Sequence, residues 1–155
     1  MEKYENMRNY DIIKINVFGK EKEVDVFSTG DNKFDEEGDY KEDGFELSKE
    51  EIECLNWFVN NINIDDYKKQ ILKYCNQSYS EIGDGDKRIT EDDLDNEVDI
   101  TGIAINISEI TQSKSGYVYP EISFVGECGC DPEHGMCIGF RDGKFLGIEG
   151  MDWTL

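Results

Sequence analysis

The sequence predicts a single α+β domain, in which two helices are set apart from a mainly antiparallel sheet. Three observations support this fold class. Apolar residues alternate with period two near the N-terminus, recur at helical spacing in the middle, and alternate again in the C-terminal third. The predicted order is an N-terminal β-hairpin, two helices and a C-terminal β-meander of four strands. At 155 residues, the chain is long enough for one domain, 1–155, with a substantial core.

The N-terminal part of the chain is predicted to be a frayed lead-in followed by a hairpin. Residues 1–9 are polar and charged, with little to bury. Within 10–28, Ile13, Ile15 and Val24 belong to apolar positions that alternate with charged or polar ones. Such alternation indicates strands with one buried and one exposed face.

Two acidic segments, 29–45 and 79–99, are predicted to be solvated loops. Neither matches a calcium-binding loop. In the first, Lys33 stands at a ligand position, and in the second Arg88 and Ile89 occupy the fifth and sixth positions. A basic ligand position and a missing glycine are incompatible with the calcium-loop pattern.

The two helices are predicted at 48–60 and 66–76. Ser48 and Glu51 have the spacing of a capping box, in which each side chain accepts a hydrogen bond from the other residue's backbone N–H. Apolar residues then recur at helical spacing, and Trp57 is expected to broaden the buried face of the first helix.

The C-terminal third returns to strand periodicity. Alternation resumes at Ile100, and a further strand is predicted over 117–125. Pro120 suggests that this strand lies at a sheet edge or contains a bulge, because proline cannot donate to a ladder.

A final hairpin is predicted to pair 136–140 with 145–149. The turn between them contains Asp142 and Gly143, and Asp-Gly between apolar runs is a strong hairpin signal. Just before it, residues 131–135 form a polar turn, in which proline fixes one φ angle and glycine tolerates a positive one.

The C-terminal motifs also carry a resemblance to a known family. They are Asp131-Pro132-Glu133-His134-Gly135, Gly139-Phe140-Arg141-Asp142-Gly143-Lys144 and Gly150-Met151-Asp152. This pattern resembles that of a family of small, uncharacterised bacterial domains, known only as a domain of unknown function. In that family an aromatic residue precedes the first aspartate, whereas Cys130 stands there in this chain. In size, acidity and layout the chain is also similar, more loosely, to immunity proteins of bacterial polymorphic toxin systems.

The charge is extreme, with 16 basic and 36 acidic residues and a formal net charge of −20. This balance argues against binding to nucleic-acid phosphates or to an anionic membrane surface. It fits a basic protein partner, divalent cations or simple solubility. With no signal peptide or apolar span in the sequence, the odd number of cysteines, five, is expected to be reduced, and the protein is expected to be cytoplasmic.

One candidate chemistry is a zinc site. Cys128, Cys130, His134 and Cys137 provide four zinc-type ligands within ten residues. Their spacing differs from that of zinc fingers and knuckles, and cysteine is also common as a small buried residue. A zinc module or metal-dependent enzyme at this corner is therefore the alternative to our main interpretation, which requires no metal or cofactor.

Catalysis by the polar turn is a second candidate chemistry. Asp131, Glu133 or His134 would serve as general acid or base. No nucleophile motif or glycine-rich phosphate loop accompanies them in the sequence. We therefore expect Asp131 and His134 to bond the turn's backbone, with Gly135 supplying the left-handed position.

The main prediction is a non-enzymatic, immunity-like protein that binds and neutralises a basic partner, a bacterial toxin. Such binders place aromatic anchors inside a charged rim. Tyr40 and Phe45 are the principal candidate anchors, with Tyr117 and Tyr119 as further ones. The acidic residues expected to converge around them are Asp31, Asp35, Glu36, Glu37, Asp39, Asp43, Asp92, Asp93, Asp95 and Glu97.

Overall fold

A single six-stranded sheet dominates the computed structural model, which describes residues 4–29, 33–42, 44–81, 87–107, 116 and 118–154. The strands are Asp11–Val17 (β1), Lys20–Ser28 (β2), Val98–Ile105 (β3), Ile122–Cys128 (β4), Met136–Arg141 (β5) and Lys144–Glu149 (β6). The α-helices are Lys49–Asn61 (α1), Lys68–Glu81 (α2) and Leu94–Glu97 (α3). Short 3₁₀ turns occupy Ile64–Tyr67, Glu91–Asp93 and Met151–Thr154. The predicted α+β class is confirmed.

The strands lie side by side in chain order, from β1 to β6. Four of the neighbouring pairs are antiparallel, and β2 with β3 is parallel, in a register that runs from Asp25 opposite Gly102 to Ser28 opposite Ile105. A parallel pair requires a crossover connection, and the helices between β2 and β3 provide it. The sheet is mostly antiparallel, as predicted.

The helices cover one face of the sheet, which we call the inner face. Phe58 of α1 lies at the centre of its core, with its ring centroid 4.7 Å from that of Phe124 and 5.3 Å from that of Phe140. Ile71 and Cys75 of α2 are also fully buried in this core. The inner face therefore holds most of the apolar burial that stabilises the fold.

The opposite, outer face has a smaller apolar cover formed by the C-terminal 3₁₀ turn. Trp153 is buried over Gly139 and Gly147, which pair across β5 and β6. A Cβ at Gly139 would lie 2.8 Å from the indole and 2.7 Å from the Pro120 ring, so only glycine fits there. The strand predicted over 117–125 instead spans Ile122–Cys128, so Pro120 precedes it. This strand is not at an edge, because it pairs with both β3 and β5, and the irregularity in its pairing with β3 lies between Ile100 and Gly102.

The capping box at the start of α1 is confirmed. The Ser48 hydroxyl accepts a hydrogen bond from the Glu51 N–H at 3.1 Å, and the Glu51 carboxylate accepts one from the Ser48 N–H at 2.8 Å. The prediction for Trp57 is wrong, because its side chain is 42% exposed. A 3₁₀ turn capped by Asn63 precedes α2, which extends to Glu81, past its predicted end.

The segments predicted to be irregular contain more structure than expected. In 79–99, α2 runs through Tyr79, Leu94 is fully buried at the start of α3, and β3 begins at Val98. This acidic segment therefore packs against the core through its few buried apolar residues. The hairpin at 136–149 agrees with prediction, as does the mostly irregular course of 29, 33–42 and 44–45, the described part of the first acidic segment.

The described part of the N-terminal lead-in is not frayed. Met7 is buried, and its carbonyl accepts a hydrogen bond from the Leu47 N–H at 2.9 Å. The Tyr4 N–H donates to the Asn56 side chain at 2.8 Å. These contacts fix residues 4–9 against the chain entering α1.

Some predicted features lie outside the described residues: 1–3, Asp31, Asp43, the centre of the second acidic segment at 82–86, and Tyr117. In the part of the chain that is described, no helix is long and apolar enough to span a bilayer. The five cysteines are free thiols.

The capping box leads to a test of the fold. Ser48→Ala removes the acceptor for the Glu51 N–H and should lower the free energy of unfolding by about 1 kcal/mol. For a domain of this size, that corresponds to a decrease in Tm of about 2–4 °C, measurable by calorimetry. Ser80→Ala, at an exposed position in α2, is the matched control and should leave Tm nearly unchanged. Equal effects of the two variants would contradict a stabilising cap.

Candidate functional site

The polar turn before β5 is held together by its own residues. The Asp131 carboxylate accepts a hydrogen bond from the His134 backbone N–H at 3.2 Å and lies 3.0 Å from the imidazole Nδ1. The Gly135 N–H donates to the Asp131 carbonyl, and Gly135 has a φ of +69°. This bonding agrees with the structural role expected for the turn. The His134 side chain is nevertheless 60% exposed, so its ion pair is a surface contact.

The electrostatics of the turn follow from that contact. The hydrogen bond that protonated His134 donates to the Asp131 carboxylate raises the pKa of His134, and the charges of Asp131 and then Glu133 add to the effect. Glu133 is exposed beside the pair. The nearest thiol, Cys128, has a strongly raised pKa because of its hydrogen bond with Cys130 and its burial. A protonated, buried thiol is a poor nucleophile.

The four cysteine and histidine residues proposed as zinc ligands do not converge. The Sγ atoms of Cys128 and Cys130 are 3.1 Å apart in the inner core. Cys137 belongs instead to the small outer-face core with Trp153, because alternation along β5 turns it to the other side of the sheet. His134 is exposed and engaged with Asp131. Within the described residues, therefore, this set has no tetrahedral zinc geometry.

The β5–β6 turn lies at the other end of β5, so the C-terminal motif is divided between two places. Asp142 and Gly143 have φ angles of +53° and +75°, as a two-residue hairpin loop requires. The Asp142 N–H donates to the Glu121 carboxylate at 2.9 Å. A Cβ at Gly143 would lie 3.2 Å from the Trp57 ring, so the turn's backbone rests against the indole.

An open groove of 460 Å³ lies between residues of this turn and residues of α1, beside the contact with Trp57. We call it the Trp57 groove. Its floor and walls consist of Cys54, Trp57, Ile107 and Gly143, and four carboxylates form its rim: Glu50, Glu53, Glu121 and Asp142. The sequence analysis missed this site. The available signal was the spacing of Glu50, Glu53 and Trp57, three and four residues apart, which places them on one face of a helix.

A second surface of interest is the tip of the first acidic segment, residues 33–42, which we call the acidic loop. Phe34 and Tyr40 pair through an isolated β-bridge, with their rings edge to face at 6.1 Å. Both rings are exposed, Phe34 by 43% and Tyr40 by 56%. The Asp35 carboxylate accepts hydrogen bonds from the N–H groups of Glu37 and Asp39. The carboxylates of these three residues offer oxygen atoms within 4.8 Å of one another.

The other predicted anchors have a different environment. Phe45 is only partly exposed and packs against the inner core, with the Lys41 ammonium 5.3 Å from its ring. Tyr119 packs against the outer-face core. Of the predicted aromatic anchors that are described, Tyr40 is the one that belongs to the exposed set.

The two acidic segments do not converge, contrary to expectation. Residues 29–45 leave β2 beside Ile105, at the C-terminal ends of the parallel strands, whereas Asp92 and Asp93 precede the N-terminal end of β3. An ion pair of 2.6 Å between Asp95 and Lys20 places α3 at the start of β2. Eight residues of strand span about 25 Å, which separates the two groups along the sheet.

The turn at 131–135 leads to a test by pH. A raised folded-state pKa means that the His134–Asp131 pair stabilises the fold at low pH, below about 6.5, and ceases to do so as pH rises through the folded-state pKa. His134→Ala should therefore lower Tm at pH 5.5 and have little effect at pH 9, as measured by thermal melts. Glu133→Gln is a comparison variant, because it removes a charge that also raises the pKa of His134; it should show the same pH dependence with a smaller decrease. A decrease of the same size at both pH values would indicate packing instead of charge.

Comparison with known proteins gives a family and no function. No curated protein and no solved structure matches this chain. The family model described as a domain of unknown function (DUF6985) matches residues 2–155. Since the match extends over nearly the whole sequence, this chain belongs to the DUF6985 family.

Proposed function

We propose that this domain is a non-catalytic binding protein that recognises a basic surface on a protein partner. The observation that carries the proposal is the acidic loop, in which two exposed aromatic rings stand among crowded carboxylates. Large aromatic side chains are the usual anchors of protein interfaces, and a charged rim selects partners of opposite sign.

The acidic loop is suited to binding by its energetics as well as by its composition. Like charges held close together at an exposed tip repel one another, and this cost falls when a cation approaches. The Phe34–Tyr40 bridge and the hydrogen bonds to Asp35 already order the backbone of the tip. A preorganised loop loses less conformational entropy on binding than a disordered one.

Binding is favoured over catalysis by the way the polar turn uses its groups. Asp131 and His134, the candidate acid–base pair, bond each other and the turn backbone at the surface. The four candidate zinc ligands lie on different sides of the sheet or at its surface. A protein interface therefore accounts for more of the unusual features of this chain than an active site does.

The biological role that we propose is neutralisation of a basic bacterial toxin in the cytoplasm. A net charge of −20 would speed association with a positively charged cleft and would block the patch by which a nuclease holds its substrate. The resemblance in size, acidity and layout to immunity proteins supports the same role.

The test uses the products of the genes that flank the gene for this chain, since immunity proteins are typically encoded beside their toxins. We expect one basic product to bind in stopped-flow experiments, with an association rate that falls at least about tenfold between 50 and 500 mM salt. Phe34→Ala with Tyr40→Ala should increase the dissociation rate at least about tenfold, because anchors act mainly on dissociation.

The matched control for the aromatic pair is Tyr10→Ala, which removes another exposed ring, one that stacks on Phe27 and is not part of the acidic loop. It should leave dissociation unchanged. Failure of every flanking product to bind would overturn the toxin-neutralising role. Binding that is insensitive to both salt and the aromatic pair would overturn the proposed interface.

A further inference from the structure

We infer that the Trp57 groove is a receptor for an arginine side chain of the basic partner. This inference rests on the proposed function and adds to it a specific site and a specific ligand chemistry. Of the residues that line the groove, only Asp142 and Gly143 were among the predicted site residues, as part of the C-terminal motif. Its apolar floor and acidic rim come from separate parts of the chain, which the fold brings together.

The floor of the groove provides a flat aromatic surface. Trp57 projects from α1 and remains 42% exposed, although its neighbour Phe58 is buried. Its ring packs against the backbone of Gly143, where an added Cβ would make a tight contact of 3.2 Å with the ring. One edge of the indole therefore packs against the turn, and part of the ring stays exposed and can stack with a ligand.

The rim supplies negative charge from three directions. Glu50 and Glu53 come from α1, Glu121 from the approach to β4, and Asp142 from the β5–β6 turn. The Lys49 ammonium lies 3.9 Å from the Glu53 carboxylate. Both side chains are exposed, so solvent screens this ion pair. No lysine, arginine or histidine belongs to the described lining, so the groove itself is anionic.

The partly buried thiol of Cys54 lies on the floor, within reach of these charges. Burial is the main reason that the pKa of Cys54 is raised to about 12, and the charges of Glu121 and Glu51 raise it further. Arg141 acts in the opposite direction, but its guanidinium donates to the Tyr119 carbonyl and does not line the groove. The carboxylates thus act on the floor of the groove, although burial has the larger effect on this thiol.

Arginine fits this geometry better than lysine. A guanidinium is planar, so it stacks on the indole while its N–H groups point outward to the rim carboxylates. It is also less strongly hydrated than an ammonium group and loses less on entering a partly apolar groove. The groove thus offers stacking and charge-assisted hydrogen bonds to the same side chain.

The position of the groove supports a shared interface with the acidic loop. Ile107 follows the C-terminal end of β3, and Glu121 precedes β4, at the end of the sheet where β2 also ends. The acidic loop leaves from that same end, and the chain then leads directly into α1. One basic partner would therefore meet the aromatic tip and the groove together.

The experiment titrates hexa-arginine and hexa-lysine into the folded protein and follows the indole N–H signals by NMR. The signal of Trp57, assigned with Trp57→Phe, should shift on titration, while that of buried Trp153 stays in place. Hexa-arginine should bind more tightly than hexa-lysine. Glu50→Gln with Glu53→Gln should weaken hexa-arginine at least about tenfold, because two charge-assisted contacts are lost.

The matched control is Glu127→Gln with Glu149→Gln, which removes the same charge at exposed positions outside the groove and should change the affinity by less than about twofold. Asp142→Asn is a second variant that preserves the turn, since asparagine tolerates positive φ, and it should also weaken binding. Equal weakening by the control, equal affinity for the two peptides or an unshifted Trp57 signal would overturn the inference.

The outcomes for the whole partner separate the two proposals. If a basic flanking gene product binds the Glu50→Gln, Glu53→Gln variant as tightly as the wild-type chain, the arginine receptor is wrong and the proposed function stands. If hexa-arginine occupies the groove but no flanking product binds, the receptor stands and the toxin-neutralising role is wrong.

Discussion

The parallel pairing of β2 with β3 is the constraint on which the rest of the structure depends. Two parallel neighbours cannot be joined by a tight turn, so the chain must return from one end of the sheet to the other. Helices α1 and α2 make that return and bury their apolar stripes on the inner face. The same geometry places the two acidic segments at opposite ends of the sheet. Topology, rather than charge, therefore decides which carboxylates become neighbours.

The β4–β6 meander then makes two close packing contacts, and the second of them shapes the Trp57 groove. The Gly139–Gly147 pair forms a slot that Trp153 fills, so the C-terminal turn seals part of the outer face. At the other side, the Asp142–Gly143 loop reaches α1 and rests against Trp57. A tight turn with two positive φ angles therefore serves as a packing partner as well as a connection. The backbone that closes the hairpin also forms one wall of the groove.

The features that could be predicted from the sequence are those fixed by residues close together in the chain. The Ser48–Glu51 capping box and the Asp142–Gly143 turn depend on local spacing and backbone preference, and both were identified. The parallel pair was not, because register between β2 and β3 depends on a crossover of some seventy residues. The exposure of Trp57 was also missed, since an aromatic residue beside an apolar stripe is indistinguishable from a core residue until its neighbours are known. The separation of the four candidate zinc ligands was missed for a related reason, as alternation along β5 sends Cys137 to the other face.

The separation of the acidic segments changes what the net charge can explain. Charge spread over both ends of the sheet produces a broad negative field, which raises association rates with basic surfaces but does not choose among them. Beyond about 8–10 Å that field is screened at physiological salt, so specificity must come from contacts at short range. The acidic loop and the Trp57 groove combine exposed aromatic surface with carboxylates at one end of the sheet. Under the proposed function, the remaining charge would attract the basic partner, and these two surfaces would bind it.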